Sequence, residues 1–157
     1  MDFPLVVRQC TDQDLLALTE EEPEGAGIAR TMLQRQRDGR LYFAAAWQGS
    51  VPLGTVVLDL QATYPPEMKN LFVKASRRGQ GVGTALCDWL EAQARTAGFD
   101  HIYLGVGTDN DRARDLYVRL GYRPMGESTS ITYDYIDDDG STKTATEISD
   151  YYTKPLL

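Results

Sequence analysis

Apolar residues recur along this chain of 157 residues with two periods, and each change of period marks a new element. Residues 5–9, Leu-Val-Val-Arg-Gln, read as a short first strand. Thr11-Asp12-Gln13-Asp14 supplies an N-cap and first-turn acids for a helix over 12–19. A second helix, over about 26–37, stops at Asp38-Gly39. Residues 41–48 and 53–60 are rich in aromatic and β-branched side chains. They read as a hairpin across Gly49-Ser50-Val51-Pro52. After Pro65-Pro66 comes a fourth strand over 67–74, then a glycine-rich turn from Arg78 to Gly83. In the helix that follows, Val82, Leu86, Trp89, Leu90, Gln93 and Ala97 share one side, and Gly98 ends it. Residues 101–106 form a fifth strand, 109–120 a fourth helix closed by Gly121. Residues 129–135 and 144–152 are two last strands joined around Asp139-Gly140. The order predicts an α/β fold: a mixed sheet of about seven strands with four helices on its faces.

Composition narrows this. With 42% hydrophobic and 25% charged residues, the chain has the profile of an ordinary globular protein, and its length suits a single domain over 1–157. Its longest apolar runs are too short to cross a bilayer, and MDFPLVVRQ lacks a basic region followed by an apolar one, so neither export nor anchoring is expected. Cys10 and Cys87 are too few for a disulfide framework and have no metal-ligand spacing; reduced thiols in a cytoplasm and no metal fit best. A formal charge of −7 argues against nucleic acid as a partner. The charge is uneven, however. Lys69, Lys74, Arg77 and Arg78 crowd an acid-free stretch, whereas Glu20, Glu21, Glu22 and Glu24, and later Asp134, Asp137, Asp138 and Asp139, form acidic clusters. One region invites an anion, the others a cation.

The turn Arg78-Gly79-Gln80-Gly81-Val82-Gly83-Thr84 stands between a strand and a helix, where unpaired amides and the positive end of the helix dipole cradle phosphate. Glycine lets the backbone approach a ligand closely and aims successive amides inward. A nucleotide-hydrolysing loop would need Lys-Ser/Thr after its last glycine, but Gly83 is followed by Thr84-Ala85. A dinucleotide fingerprint would need a different glycine spacing and an earlier position. A plain helix-start loop would also use such glycines.

The pattern Arg78-x-x-Gly81-x-Gly83 resembles the pyrophosphate loop of the GCN5-related N-acetyltransferases (GNAT). Downstream, Asn110, Ala113 and Tyr117, followed by Leu120-Gly121-Tyr122, are similar to that family's second motif. Together the motifs cover 67–122, and the flanking segments carry no motif. The resemblance implies the GNAT fold, a mixed, mostly antiparallel central sheet of about seven strands with four helices, its fourth and fifth strands splayed at a bulge. It also implies acetyl-CoA as co-substrate, its pantetheine arm pairing with backbone along Leu71, Phe72 and Val73 and its phosphates held by the loop from Arg78 to Thr84. The Leu71 amide would polarise the thioester carbonyl. The activity implied is direct transfer of acetyl to a primary amine through a ternary complex. A non-catalytic acyl-CoA sensor would keep the same loop.

Acetyl transfer needs a neutral amine, and a lysine-type amine titrates near ~10.4. Glu67, six residues before Val73, matches the family's catalytic glutamate in one branch and is the candidate base; the plain alternative is a solvated strand end. Tyr117 matches the tyrosine that faces the cofactor sulfur and protonates the departing thiolate, though an aromatic beside Leu116 and Leu120 also suits a helix core face. Asn110 is a helix N-cap as well as a candidate ligand of pantetheine or phosphate. Lys74, Arg77 and Arg78 would add positive charge near the phosphates. His101 has no evident partner, and Cys87 reads as packing.

The motifs report the donor and not the acceptor. By resemblance, the acceptor groove is bordered by the loop between the first two helices and by the last strand pair. The acids in both would draw a polyamine-like substrate or a basic peptide, and would equally serve to solvate exposed tips. Tyr133, Tyr135, Tyr151 and Tyr152 line a pocket or make cross-strand pairs. Homodimerisation is common in the family, with the last strand as the place for it.

Overall fold

A computed structural model describes residues 3–156; Met1 and Asp2, part of the stretch read for an export signal, lie outside it. Seven strands and four α-helices follow the predicted order: β1 (Leu5–Gln9), α1 (Leu15–Glu20), α2 (Ile28–Arg37), β2 (Leu41–Gln48), β3 (Val51–Asp59), β4 (Glu67–Val73), α3 (Val82–Thr96), β5 (His101–Gly107), α4 (Asp111–Arg119), β6 (Arg123–Ile136) and β7 (Thr142–Pro155). The described residues fall into two compact units, one running to Ile102 and rejoined by Pro155 and Leu156, the other Tyr103–Lys154.

In the first unit β1, β2, β3 and β4 make an antiparallel meander. β2 reads as nearly continuous apolar sequence because it is covered on both faces. Leu41, Phe43, Ala45 and Trp47 join Leu18, Ala29, Leu33 and Val57 in a core beneath α1 and α2. The opposite parity, Ala44 and Ala46, is equally buried, on the side where α3 packs. α1 is entered through a 3-10 turn at Asp12–Asp14, with Thr11 and Asp14 forming a capping box. Asp14 also receives Arg8 at 2.8 Å and 3.0 Å, while the Arg8 guanidinium lies 4.6 Å from the centre of the Trp47 ring.

In the first unit the β2–β3 connection, the start of α2 and the buried side of α3 depart from expectation. The β2–β3 connection is tighter than expected: Gln48 pairs with Val51 across Gly49-Ser50, and an irregularity beside Trp47 takes up the extra residue and admits Pro52 to the strand. α2 begins at Ile28 because Gly27 adopts φ +64° at its N-cap. The buried side of α3 is turned from the expected one. Val82, Leu86 and Leu90 are buried with Cys87, Glu91 and Ala94, whereas Ala97 is exposed and Trp89 and Gln93 are only partly covered. The Cys87 thiol reaches the Met68 sulfur of β4 at 3.7 Å.

In the second unit Asn110 caps α4, its Oδ1 accepting from the Ala113 amide at 3.2 Å. The Tyr117 and Tyr122 rings meet edge to face at 5.8 Å. β6 and β7 pair over most of their length, with an interruption between Pro124 and Ser128. Both strands run several residues beyond the sequence expectation. The added ends, such as Arg123-Pro124 and Thr142-Lys143, show no strand alternation, yet their backbones pair regardless of side chain.

β3 and β4 meet most closely at Gly54, where a β-carbon added to the glycine would stand 2.5 Å from the Phe72 carbonyl oxygen. Gly54→Ala is therefore expected to lower stability by about 1–3 kcal/mol through overpacking against backbone. Denaturant unfolding reads this directly, and an unchanged midpoint with unchanged slope would show that β4 shifts freely.

Candidate active site

The close approach at Gly54 comes from a bulge. β3 and β4 are in register at Val57↔Lys69 and again at Thr55↔Phe72, so Asn70 and Leu71 together stand opposite Val56. Asn70 takes the left-handed conformation, φ +56°, which asparagine tolerates better than most residues. The bulge inverts parity along β4. Glu67, Lys69 and Phe72 share the sheet face occupied by α1 and α2, although 67 and 72 would lie on opposite faces of a regular strand.

Beyond β4 the chain makes a 3-10 turn at Ala75–Arg77. Gly79 and Gly81 then adopt φ of +75° and +87°, as expected of glycines that aim backbone amides. The first helical bond of α3 runs from the Ala85 N–H to the Gly81 carbonyl at 3.0 Å, so the amides of Val82, Gly83 and Thr84 precede the helical ladder. The nearby side chains brace the turn. Arg77 donates to Gln80 Oε1 at 3.0 Å and to Gln48 Oε1 at 2.8 Å. Arg78 donates to the Val73 carbonyl at 3.2 Å, and Gln80 to that of Ser76 at 3.3 Å.

Two of the four cations in the expected basic patch, Lys69 and Lys74, are paired with acids. Lys74 pairs with Glu21 at 3.1 Å. Lys69 lies 2.8 Å from Asp59 and 3.5 Å from Glu67. Glu67 is not a solvated strand end: it is buried, and burial raises its pKa despite the opposing pull of Lys69. Burial also works against ionisation of Asp59, but the hydrogen bonds from Lys69 and the Gln61 amide outweigh it and hold its pKa below the usual range.

A cavity of about 500 Å³ opens on this same face of the first unit. Leu18, Glu21, Glu22 and Pro23 border it from α1 and the following loop, and Ile28, Ala29 and Met32 from α2. Phe43 of β2 and Pro52, Gly54 and Thr55 of β3 lie beneath; Asn70, Leu71, Phe72 and Lys74 close it along the bulge. Glu22 accepts the Ala29 amide at the start of α2. Two of the acids expected to draw a cation, Glu21 and Glu22, are therefore engaged with the protein, and the walls of the cavity are chiefly apolar.

The model of the acetyltransferase (GNAT) family matches residues 9–122, well over half the chain and inclusive of both the bulge and the glycine turn. The chain belongs to the GNAT family. Its relatives include an uncharacterised N-acetyltransferase of Methanocaldococcus jannaschii, 31% identical over 97 residues, and the aminoalkylphosphonate N-acetyltransferase of Salmonella typhimurium, 29% identical over 102 residues. The matches cover 58% and 62% of the GNAT chain, but only 42% and 64% of those proteins. The fold is similar to that of an N-acetyltransferase from Staphylococcus aureus Mu50 (TM-score 0.73, 16% identity, 98% and 99% of the two chains). It is also similar to that of the PaiA N-acetyltransferase from Thermoplasma acidophilum in complex with coenzyme A (TM-score 0.68, 16% identity, 98% and 99%).

Other anticipated residues of this GNAT chain find plain surroundings. Tyr117 is buried and packed on Tyr122. His101 does have an acidic partner, its exposed neighbour Asp100 at 3.0 Å. Cys10 and Cys87 are buried free thiols, and burial pushes Cys10 up to about 12. At the β6–β7 tip, Asp137 and Asp139 pair with Lys143, while Tyr133 donates to Glu147 at 3.0 Å. Sequence reasoning misses Asn70 and Gly54, although a glycine within a strand is a signal for a bulge or close approach. It also misses Leu18, Ile28, Met32 and Phe43, which look like any core residues.

The two carboxyl groups beside Lys69 have opposite linkage. Asp59, with its pKa lowered, adds stability that is present above the unfolded value near ~3.9 and is lost as pH falls through the folded value. Glu67, with its pKa raised, favours the fold while protonated, and that contribution is lost as pH rises through the folded value. Asp59→Asn should therefore flatten the acid limb of a plot of unfolding midpoint against pH. Glu67→Gln should leave the midpoint at neutral pH equal or higher. A marked loss of stability in Glu67→Gln would mean that the charged form is held by stronger partners than Lys69.

Proposed function

We propose that the chain is an acetyl-CoA-dependent N-acetyltransferase, working in the cytoplasm as one domain and moving acetyl to a primary amine by direct transfer in a ternary complex. The observation that carries this is the pairing, in one unit of a GNAT chain, of a β4 bulge with a left-handed glycine turn at the start of α3. Among the described residues no helix is long and apolar enough to cross a membrane.

The residues fit the donor. The amides of Val82, Gly83 and Thr84, with those of Gly79, Gln80 and Gly81, suit a pyrophosphate, and Arg78 steadies the turn from behind. Leu71, Phe72 and Val73 offer strand backbone to a pantetheine arm, and Asn110 contributes from the cap of α4. Acetyl-CoA supplies an activated acetyl thioester whose leaving group is a thiolate. Leu71 N–H donates to the carbonyl oxygen as negative charge grows there. Glu67 accepts the proton that the acceptor ammonium must lose, through water, and its raised pKa brings it closer to that of its task. Tyr117 Oη donates a proton toward the departing sulfur.

Calorimetric titration with acetyl-CoA tests the foundation: saturable binding is expected, and a folded sample that binds none removes the proposal. Tyr117→Phe should lower turnover by about tenfold or more while leaving acetyl-CoA affinity within about twofold. Equal turnover would take Tyr117 out of the mechanism. For Glu67→Gln the loss should be largest on the acid side of the pH–rate profile, where neutral amine is scarce. A profile that keeps its shape would leave Glu67 a structural residue. Donor binding without transfer to any amine would favour a sensor.

A further inference from the structure

We propose that the acceptor is a monocationic amine carried on an apolar body, of arylalkyl or branched alkyl size, and that this body fills the cavity between the α1–α2 segment and β4. The inference rests on the acetyltransferase reading and deepens it by naming the substrate class. It begins with the walls: Leu18, Ile28, Met32, Phe43, Leu71 and Phe72 all face a cavity of about 500 Å³, within the range that encloses a small organic ligand. Ile28 and Phe72 are 48% and 49% exposed, so apolar surface at the cavity lies open to water until something covers it.

Charge makes the same selection. A polyamine or polyamino sugar needs several carboxylates free to meet its cations. Here Glu21 and Lys74 offset each other in an ion pair, and Glu22, which also holds the first turn of α2 through the Ala29 amide, is the one carboxylate of the lining left in excess. A second or third ammonium would be desolvated against apolar walls with no further carboxylate there to meet it. A single polar group, by contrast, finds partners at one end. Thr55 and Asn70 lie on the lining beside Leu71, the residue whose amide is proposed to face the reacting carbonyl. The amine end therefore points to the bulge and the apolar body to Ile28 and Met32.

The test compares 2-phenylethylamine and hexylamine with spermidine on the intact protein. Transfer is followed by release of free CoA thiol, and amine binding by calorimetry with and without saturating CoA. The apolar amines should exceed spermidine in kcat/KM by about tenfold or more, the scale set by burying one apolar side-chain equivalent. Ile28→Ser, at a half-exposed position where folding is not at stake, should weaken their binding severalfold and leave acetyl-CoA affinity intact. Spermidine used as well as or better than the apolar amines overturns the inference, as does an Ile28→Ser protein that handles phenylethylamine unchanged. Acetyl-CoA binding with no binding of either apolar amine also overturns it while leaving the donor assignment in place. Failure of acetyl-CoA to bind removes the enzymatic reading, and amine calorimetry alone then decides what the cavity accepts.

Discussion

One extra residue in β4 sets the arrangement of the whole first unit around its cavity. Because Asn70 and Leu71 together oppose Val56, the alternation of side chains is inverted beyond them. Glu67 and Phe72 come to the same face, and the Leu71 backbone is released from regular pairing with β3. Two local concessions make this possible. Asn70 takes a left-handed φ that a β-branched residue would resist. Gly54 has no side chain where the displaced Phe72 carbonyl presses against β3. Restoring the ladder would return one of the two faces to the wrong side, so the bulge is a requirement of the proposed site and not a blemish in the sheet.

Charge around the bulge is organised by pairing. Each cation that the sequence offers as an anion ligand has a partner or a bracing role in the structure: Lys69 with Asp59 and Glu67, Lys74 with Glu21, Arg77 with Gln48 and Gln80, Arg78 with the Val73 carbonyl. Arg77 and Arg78, whose partners are neutral oxygens, keep their charges beside the turn, and the main-chain amides proposed to hold a phosphate there stand at fixed orientation and would need little reorganisation. Lys69 has a different effect. Shared between two carboxylates, it satisfies Asp59 fully enough to lower its pKa, and Glu67 only partly, so that burial prevails. Two acids on one lysine thus sit on opposite sides of the ordinary carboxylate range.

The order of elements was legible because each boundary has its own chemistry. Thr11 and Asp14 write a capping box, Gly98 and Gly121 close helices, and Asn110 caps α4 by the bond expected of it. The glycine turn was legible for the same reason, since only glycine accepts the backbone it requires. Errors fell where side-chain pattern and backbone need part company. The ends of β6 and β7, Arg123-Pro124 and Thr142-Lys143 among them, pair through their main chains without any alternation of side chains. The buried side of α3 includes Glu91, which no apolar stripe would nominate; it is 3% exposed, with Arg95 at 3.9 Å. The partners of the acidic clusters were not legible, because sequence lists charges without their partners: Glu21 meets Lys74, and Asp137 and Asp139 meet Lys143.

The cavity was the least legible part, and the reason bears on how such a fold diverges. Donor recognition in the proposed site is made of backbone, so it constrains residue type tightly at a few positions and leaves a pattern that can be read. The acceptor side of the proposed site is made of ordinary Leu, Ile, Met and Phe side chains from α1, α2, β2 and β4, each of which has an equally good explanation as core. Replacing one by another of similar volume changes the shape of the cavity and costs the fold little. Substitutions at the glycine turn or the bulge would instead strain the backbone itself. Acceptor chemistry can therefore drift with near-neutral changes in packing while the donor machinery stays fixed, which is why a single sequence announces the acetyl group and leaves its destination to the geometry of the walls.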